Sequence, residues 1–144
     1  MAVGDTAEVY RIISESLDQY FSPEVLDFFL VQWPKGQLVY CDFSGRILGF
    51  ICGLVINGHI ANIPLFAVRA ECRNRGIGRQ LLDAFRTESV MRGCTSIVLE
   101  VREENLGAIH FYERNGFRTT ERLFEFYDDH GNAVRMSCSP YRNT

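Results

Sequence analysis

Apolar residues recur along this chain at two periods, and the places where the period changes mark out its elements. From Thr6 to Tyr20, Val9, Ile12, Ile13, Leu17 and Tyr20 repeat at helical spacing. Ser22-Pro23-Glu24 reads as a fresh helix start, with Ser22 as cap and Pro23 in the first turn. Leu26, Phe29 and Leu30 continue that helix until Trp33-Pro34 ends it. The pattern then shortens to that of strands. Leu38 to Phe43 is a short apolar run, Ser44-Gly45-Arg46 a turn, and Ile47 to Ile56 a second strand. Asn57-Gly58 is a two-residue hairpin signal leading into His59 to Val68, where Pro64 demands a bulge or a bend.

Helical spacing returns from Gly76 to Met91, with Ile77, Leu81, Leu82 and Phe85 on one face. Thr95 to Val101 is a β-branched buried strand, and Leu106 to Arg114 a short helix stopped by Asn115-Gly116. Phe117 to Tyr127 is strand-like, Asp128 to Asn132 a turn, and Val134 to Cys138 a returning strand. This order predicts an α/β fold: a mixed, mostly antiparallel sheet flanked by helices on both faces. It contains one parallel strand–helix–strand crossover, from the third strand to Ile97–Val101.

Bulk properties narrow this further. A chain of 144 residues is one domain's worth, spanning 1–144, and 47% hydrophobic with 23% charged residues argues against disorder. A net charge of −3 with no Lys/Arg run gives no footprint for nucleic acid. Five cysteines without a C-x-x-C pair fit reduced thiols in a cytoplasmic protein better than a disulfide framework. His59, His110 and His130 are too scattered for a metal site. No apolar run reaches the roughly 18 residues of a membrane span, and Met1 to Asp5 lacks the basic and apolar regions of a signal peptide.

Candidate chemistry begins at Arg73-Asn74-Arg75-Gly76-Ile77-Gly78-Arg79, between a strand end and a helix start. Two glycines there allow a tight turn, and a helix N-terminus offers N–H groups and partial positive charge to an anion. A diphosphate suits such a turn, with Arg75 or Arg79 adding charge-assisted contacts. The P-loop and dinucleotide fingerprints both fail, since no Lys follows either glycine and Leu81 stands where a third glycine is needed. A plain tight turn is the alternative.

The spacing Arg73-x-x-Gly76-x-Gly78 resembles the pyrophosphate-binding motif of the GNAT acetyltransferases, with Ala67-Val68 similar to the strand edge that pairs with the pantetheine arm. The match departs at Ala70, where relatives often have Pro. Leu99-Glu100-Val101-Arg102, Asn105, Ala108 and Phe111 to Phe117 resemble the second half of the same family, most of all its protein N-terminal acetyltransferases of the ribosomal-protein alanine type. The resemblance runs from about Ile47 to Met136. It implies acetyl-CoA as acetyl donor, held by Ala67, Val68, Arg73, Asn74, Arg75, Gly76, Ile77, Gly78, Arg79, Asn105 and Tyr112. It also implies that Glu100 helps deprotonate the amine, that Tyr112 protonates the departing thiolate, and that Tyr127 lines the peptide entrance.

Physical chemistry permits those roles without requiring them. An α-amine with a pKa near 7.7–8.0 is mostly protonated at neutral pH, so a base helps, and a phenol near 10 can serve a thiolate as acid. Equally, Glu100 reads as a solvated strand end, Tyr112 as a packing residue and Asn105 as a helix cap. Phe126 and Asn132 depart from the family pattern, as does a first strand that is missing or reduced to Met1–Val3. Three functions remain: acetylation of a protein N-terminal amine, acetylation of a small amine or Lys side chain, and a non-catalytic acyl-CoA-binding module.

Overall fold

The computed structural model describes residues 23–141 together with Met1, Asp5 and Val9. Apart from Met1 and Val9, the helix expected from Thr6 to Tyr20, the Ser22 cap and the strand remnant at Met1–Val3 lie outside them. The elements in chain order are α1 (Pro23–Gln32), β1 (Leu38–Cys41), β2 (Ile47–Ile56), β3 (Ile60–Val68), α2 (Ile77–Met91), β4 (Ser96–Arg102), α3 (Leu106–Arg114), β5 (Arg118–Leu123) and β6 (Ala133–Cys138). The strands form one sheet in the order β1-β2-β3-β4-β6-β5, in which β3 and β4 run parallel and their neighbours pair antiparallel. The expected crossover is therefore the one that α2 makes.

The β2–β3 turn is tight because Asn57 and Gly58 both take positive φ, 53° and 79°, which a primed hairpin turn requires. Pro64 has the effect its missing N–H implies. Pairing with β2 slips between Cys52 and Leu54, and the faces of β3 exchange across the slip. Ala61 and Ile63 pack on the α2 side, whereas beyond Pro64 that side takes Phe66 and Val68. Leu65 and Ala67 then join the opposite core, with Leu26 and Phe29 of α1, Phe50 and Val9. Helices thus cover both faces. On α2 the predicted face is the buried one, and Gly53 makes room for it: a Cβ there would lie 2.5 Å from the Phe85 ring.

Two strands are shorter than the apolar pattern suggests. β1 stops at Cys41, short of Phe43, because the Asp42 carboxylate accepts hydrogen bonds from Ser44 N–H (2.9 Å) and Ser44 Oγ (2.7 Å) and closes a turn. β5 stops at Leu123, short of Tyr127, because Glu125 and His130 take positive φ (50° and 66°) and Asn132 Oδ1 accepts from Glu125 N–H at 2.9 Å. A side-chain-closed loop replaces the strand end.

Candidate active site

Parallel pairing of β3 with β4 holds only from Ile60–Ser96 to Asn62–Val98. Asn62 marks the last shared rung, donating from Nδ2 to the Val98 carbonyl at 3.0 Å, and Pro64 stands two residues further on. Beyond that point the strands part, and a cleft of about 1130 Å³ opens on the α2 side. Its walls are the end of β3 (Phe66, Ala67, Val68), the turn before α2, and α3 with Asn105 and Tyr112.

One end of the cleft is built for an anion. Asn74 and Gly76 both have positive φ (65° and 79°), which folds the turn back onto the start of α2. Gly76 caps α2 without any side-chain hydrogen bond, and no acidic residue stands in the first turn. The N–H groups of Ile77, Gly78 and Arg79 are therefore left by the helix for an outside acceptor. Among the described residues four arginines (Arg73, Arg79, Arg86 and Arg114) line the cleft and no carboxylate side chain does. In a chain of net charge −3 that is a local inversion of charge, and it fits a diphosphate. Arg73 also ties the turn to β3, its Nε donating to the Val68 carbonyl at 3.3 Å. Gly78 plays a different part from Gly76. Its backbone is helical, and a Cβ on it would sit 3.0 Å from Phe111 Cζ, so its bareness lets α3 close on α2. Arg75 is absent from the lining.

The other end is aromatic. The Tyr112 ring packs edge-on against Phe66, Phe111 and Phe117, with centroids 6.2, 5.5 and 5.5 Å away. Burial, and secondarily the nearby Tyr127, push its pKa well above that of an ordinary phenol, so it keeps its proton. Asn105 is the N-cap of α3, its Oδ1 accepting from Ala108 N–H at 3.2 Å, and it faces the cleft as well.

Glu100 stands outside the cleft lining, on the other face of the sheet from Ile97, Leu99 and Val101. Its side chain is only 20% exposed, and Oε2 is buried with no hydrogen-bond partner among the described residues. Burial raises its pKa, while Arg135, Nε 3.7 Å from Oε2, and then Asn62 pull it down. Tyr127 lies outside the cleft too, its ring under the Arg102 guanidinium at 4.2 Å. Burial raises the Tyr127 pKa, Arg102 lowers it, and Glu100 raises it again. Tyr127 is thus within electrostatic reach of both Glu100 and Tyr112.

The sequence did not point to Phe66, Arg86, Arg114 or the Cys138–Tyr141 stretch as cleft walls. Arg86 is partly buried between Asp83 (3.2 Å) and the Asn115 carbonyl, and its only sequence signal is the i,i+3 spacing to Asp83. Arg135 and Asn62, which face Glu100, carry no local signal because they meet it across strands.

The model of the acetyltransferase (GNAT) family matches residues 6–117. N-alpha-acetyltransferase 30 of Schizosaccharomyces pombe is 32% identical over 139 residues, covering 92% of this chain and 91% of the relative. Among solved structures, Ard1 from Thermoplasma volcanium superposes with a TM-score of 0.92 at 34% identity, over 99% of this chain and 95% of its own. A chain of the NatC complex bound to Gag peptide and CoA superposes with a TM-score of 0.87 at 25% identity, over 96% and 92% of the two chains.

Proposed function

The chain belongs to the GNAT acetyltransferase family, and from that premise we propose that it transfers the acetyl group of acetyl-CoA to the α-amine of a protein N-terminus. One observation carries this reading beyond the family name. The parting of β3 and β4 opens on one side to an arginine-flanked helix N-terminus with no side-chain cap and lies, on the other, beside Glu100 and Tyr127. Donor and acceptor can then approach the gap from opposite faces of the sheet.

The turn from Arg73 to Arg79 is the seat of the diphosphate, and Ala67 and Val68 present the free strand edge to the pantetheine arm. In the reaction the amine nitrogen attacks the thioester carbonyl carbon and the carbon–sulfur bond breaks. Glu100 takes the proton the amine must lose, and its partly buried carboxyl is more basic than a solvated one for that task. Tyr112, which holds its proton, gives it to the departing sulfur and recovers one from solvent. No covalent acyl-enzyme is needed. Tyr127 forms part of the acceptor entrance. The cysteine usage fits action in the cytoplasm, and among the described residues no helix is long and apolar enough to cross a membrane.

The test is turnover of acetyl-CoA on a panel of short peptides with free N-termini, set against polyamines, free amino acids and α-blocked peptides carrying Lys. Preference for the free-N-terminus peptides is the expected result. Faster turnover of polyamines or of the Lys side chain would replace the proposed acceptor while leaving the chemistry.

A further inference from the structure

Glu100 belongs to a row of charges that runs across three strands. In the register of the sheet it stands opposite Arg135 on β6, and Arg135 stands opposite Glu121 on β5. The second pairing exists only because β5 bulges: pairing jumps from Thr119–Met136 to Glu121–Arg135, which leaves Thr120 as the extra residue. Thr120 Oγ1 donates to the Arg135 carbonyl at 3.3 Å, so the bulge is fastened rather than slack. A regular strand would place Thr120 against Arg135 and turn Glu121 to the other face.

Arg135 is shared unequally between its two neighbours. Its Nη1 donates to Glu121 Oε1 at 2.7 Å, the distance of a charge-assisted hydrogen bond. Its Nε stays 3.7 Å from Glu100 Oε2, beyond hydrogen-bond range, and that oxygen is buried with no hydrogen-bond partner among the described residues. A guanidinium fork can close on a carboxylate bidentately, and toward Glu100 Oε2 it holds back at 3.7 Å. Near Glu100 among the described residues are also Asn62 from β3, Tyr127 from the β5–β6 loop, and Arg102, two residues on along β4, whose guanidinium lies over the Tyr127 ring and pairs with Glu104 and Asp129.

We propose that Glu121 is a positioning residue for the acetyl transfer: by holding Nη1 of Arg135 it keeps the guanidinium from closing on Glu100, and so leaves that carboxylate able to accept the proton of the acceptor amine. This rests on the reading of Glu100 as the base. The physical reason is a balance. A fully formed Arg–carboxylate pair stabilises the charged form and makes a poor base, whereas a buried carboxylate with no cation near it is hard to ionise at all. Arg135 at arm's length gives a state between the two, and Glu121 sets the length.

The experiment titrates Glu100 directly, by the ¹³C carboxyl resonance of Glu-labelled protein, assigned by its loss in Glu100→Gln. Glu121→Gln releases Arg135 toward Glu100, so the Glu100 midpoint falls. Arg135→Met removes the cation but keeps the apolar stem, so the midpoint rises; Arg135→Lys serves, with a smaller rise, if the Met variant does not fold. In the Arg135→Met background, Glu121→Gln then changes nothing further. An edge-strand residue that only supported the fold would move neither midpoint. Midpoints that stay put, or move in the same direction in both variants, would overturn the proposal. Failure of the underlying reading looks different: Glu100→Gln would then turn over peptide like the wild type at every pH, whatever the midpoints do.

Discussion

Tyr112 and Glu100 are the residues on which the chemistry depends, and each has a packing explanation that must be separated from its catalytic one. Tyr112→Phe keeps the ring that Phe66, Phe111 and Phe117 enclose and removes only the hydroxyl. Its thermal midpoint should stay near the wild-type value while turnover in a chemistry-limited assay falls about 10²–10⁴-fold. Wild-type turnover would make Tyr112 a packing residue. For Glu100 the raised pKa gives a stability prediction with a definite sign. A carboxyl whose folded pKa lies above its unfolded value favours the fold only when protonated, so its contribution is fully present below the unfolded pKa and is lost as pH rises through the folded one. Glu100→Gln should therefore melt higher than wild type at neutral pH and level with it below about pH 4, a convergence that paired melting curves would reveal. Its loss of turnover should be greatest at low pH and shrink as pH passes the amine's own pKa. Both residues were legible only through motif resemblance, because periodicity assigns a side chain to a face but not to a neighbour. Asn62 and Arg135 were illegible for the same reason, since they reach Glu100 from β3 and β6.

Among the elements, the glycine turn and the Pro64 bulge were readable from local sequence, since a missing Cβ or a missing N–H acts on the backbone where it stands. Their consequence, the parting of β3 from β4, was not, because it depends on which strand lies alongside. The early ends of β1 and β5 escaped detection because Asp42 and Asn132 close turns with side chains, against the apolar pattern. Gly78→Asp tests the anion seat. The new side chain meets Phe111, and its charge faces the N–H groups meant for the diphosphate. CoA affinity by calorimetry should fall on the order of tenfold or more, each tenfold being about 1.4 kcal/mol. Unchanged affinity in a folded Gly78→Asp protein would move the diphosphate elsewhere.

At the scale of the whole molecule, an arginine-lined cleft in a chain of net charge −3 makes donor binding an electrostatic event. CoA affinity should weaken as salt rises from low to physiological strength, while the fold is little affected. Bound CoA should also stabilise the protein by mass action, about 2.7 kcal/mol at a free concentration one hundred times Kd, seen as a melting point raised by several degrees. The central claim is about where the acetyl group goes. A single peptide with a free α-amine and an internal Lys, incubated with acetyl-CoA and the enzyme and read by tandem mass spectrometry, decides it. Acetyl on the α-amine, with the Lys unmodified and no product when Tyr112→Phe and Glu100→Gln are combined, is the predicted result. Acetyl on the Lys side chain, or acetyl-CoA hydrolysed with the peptide untouched, would contradict it.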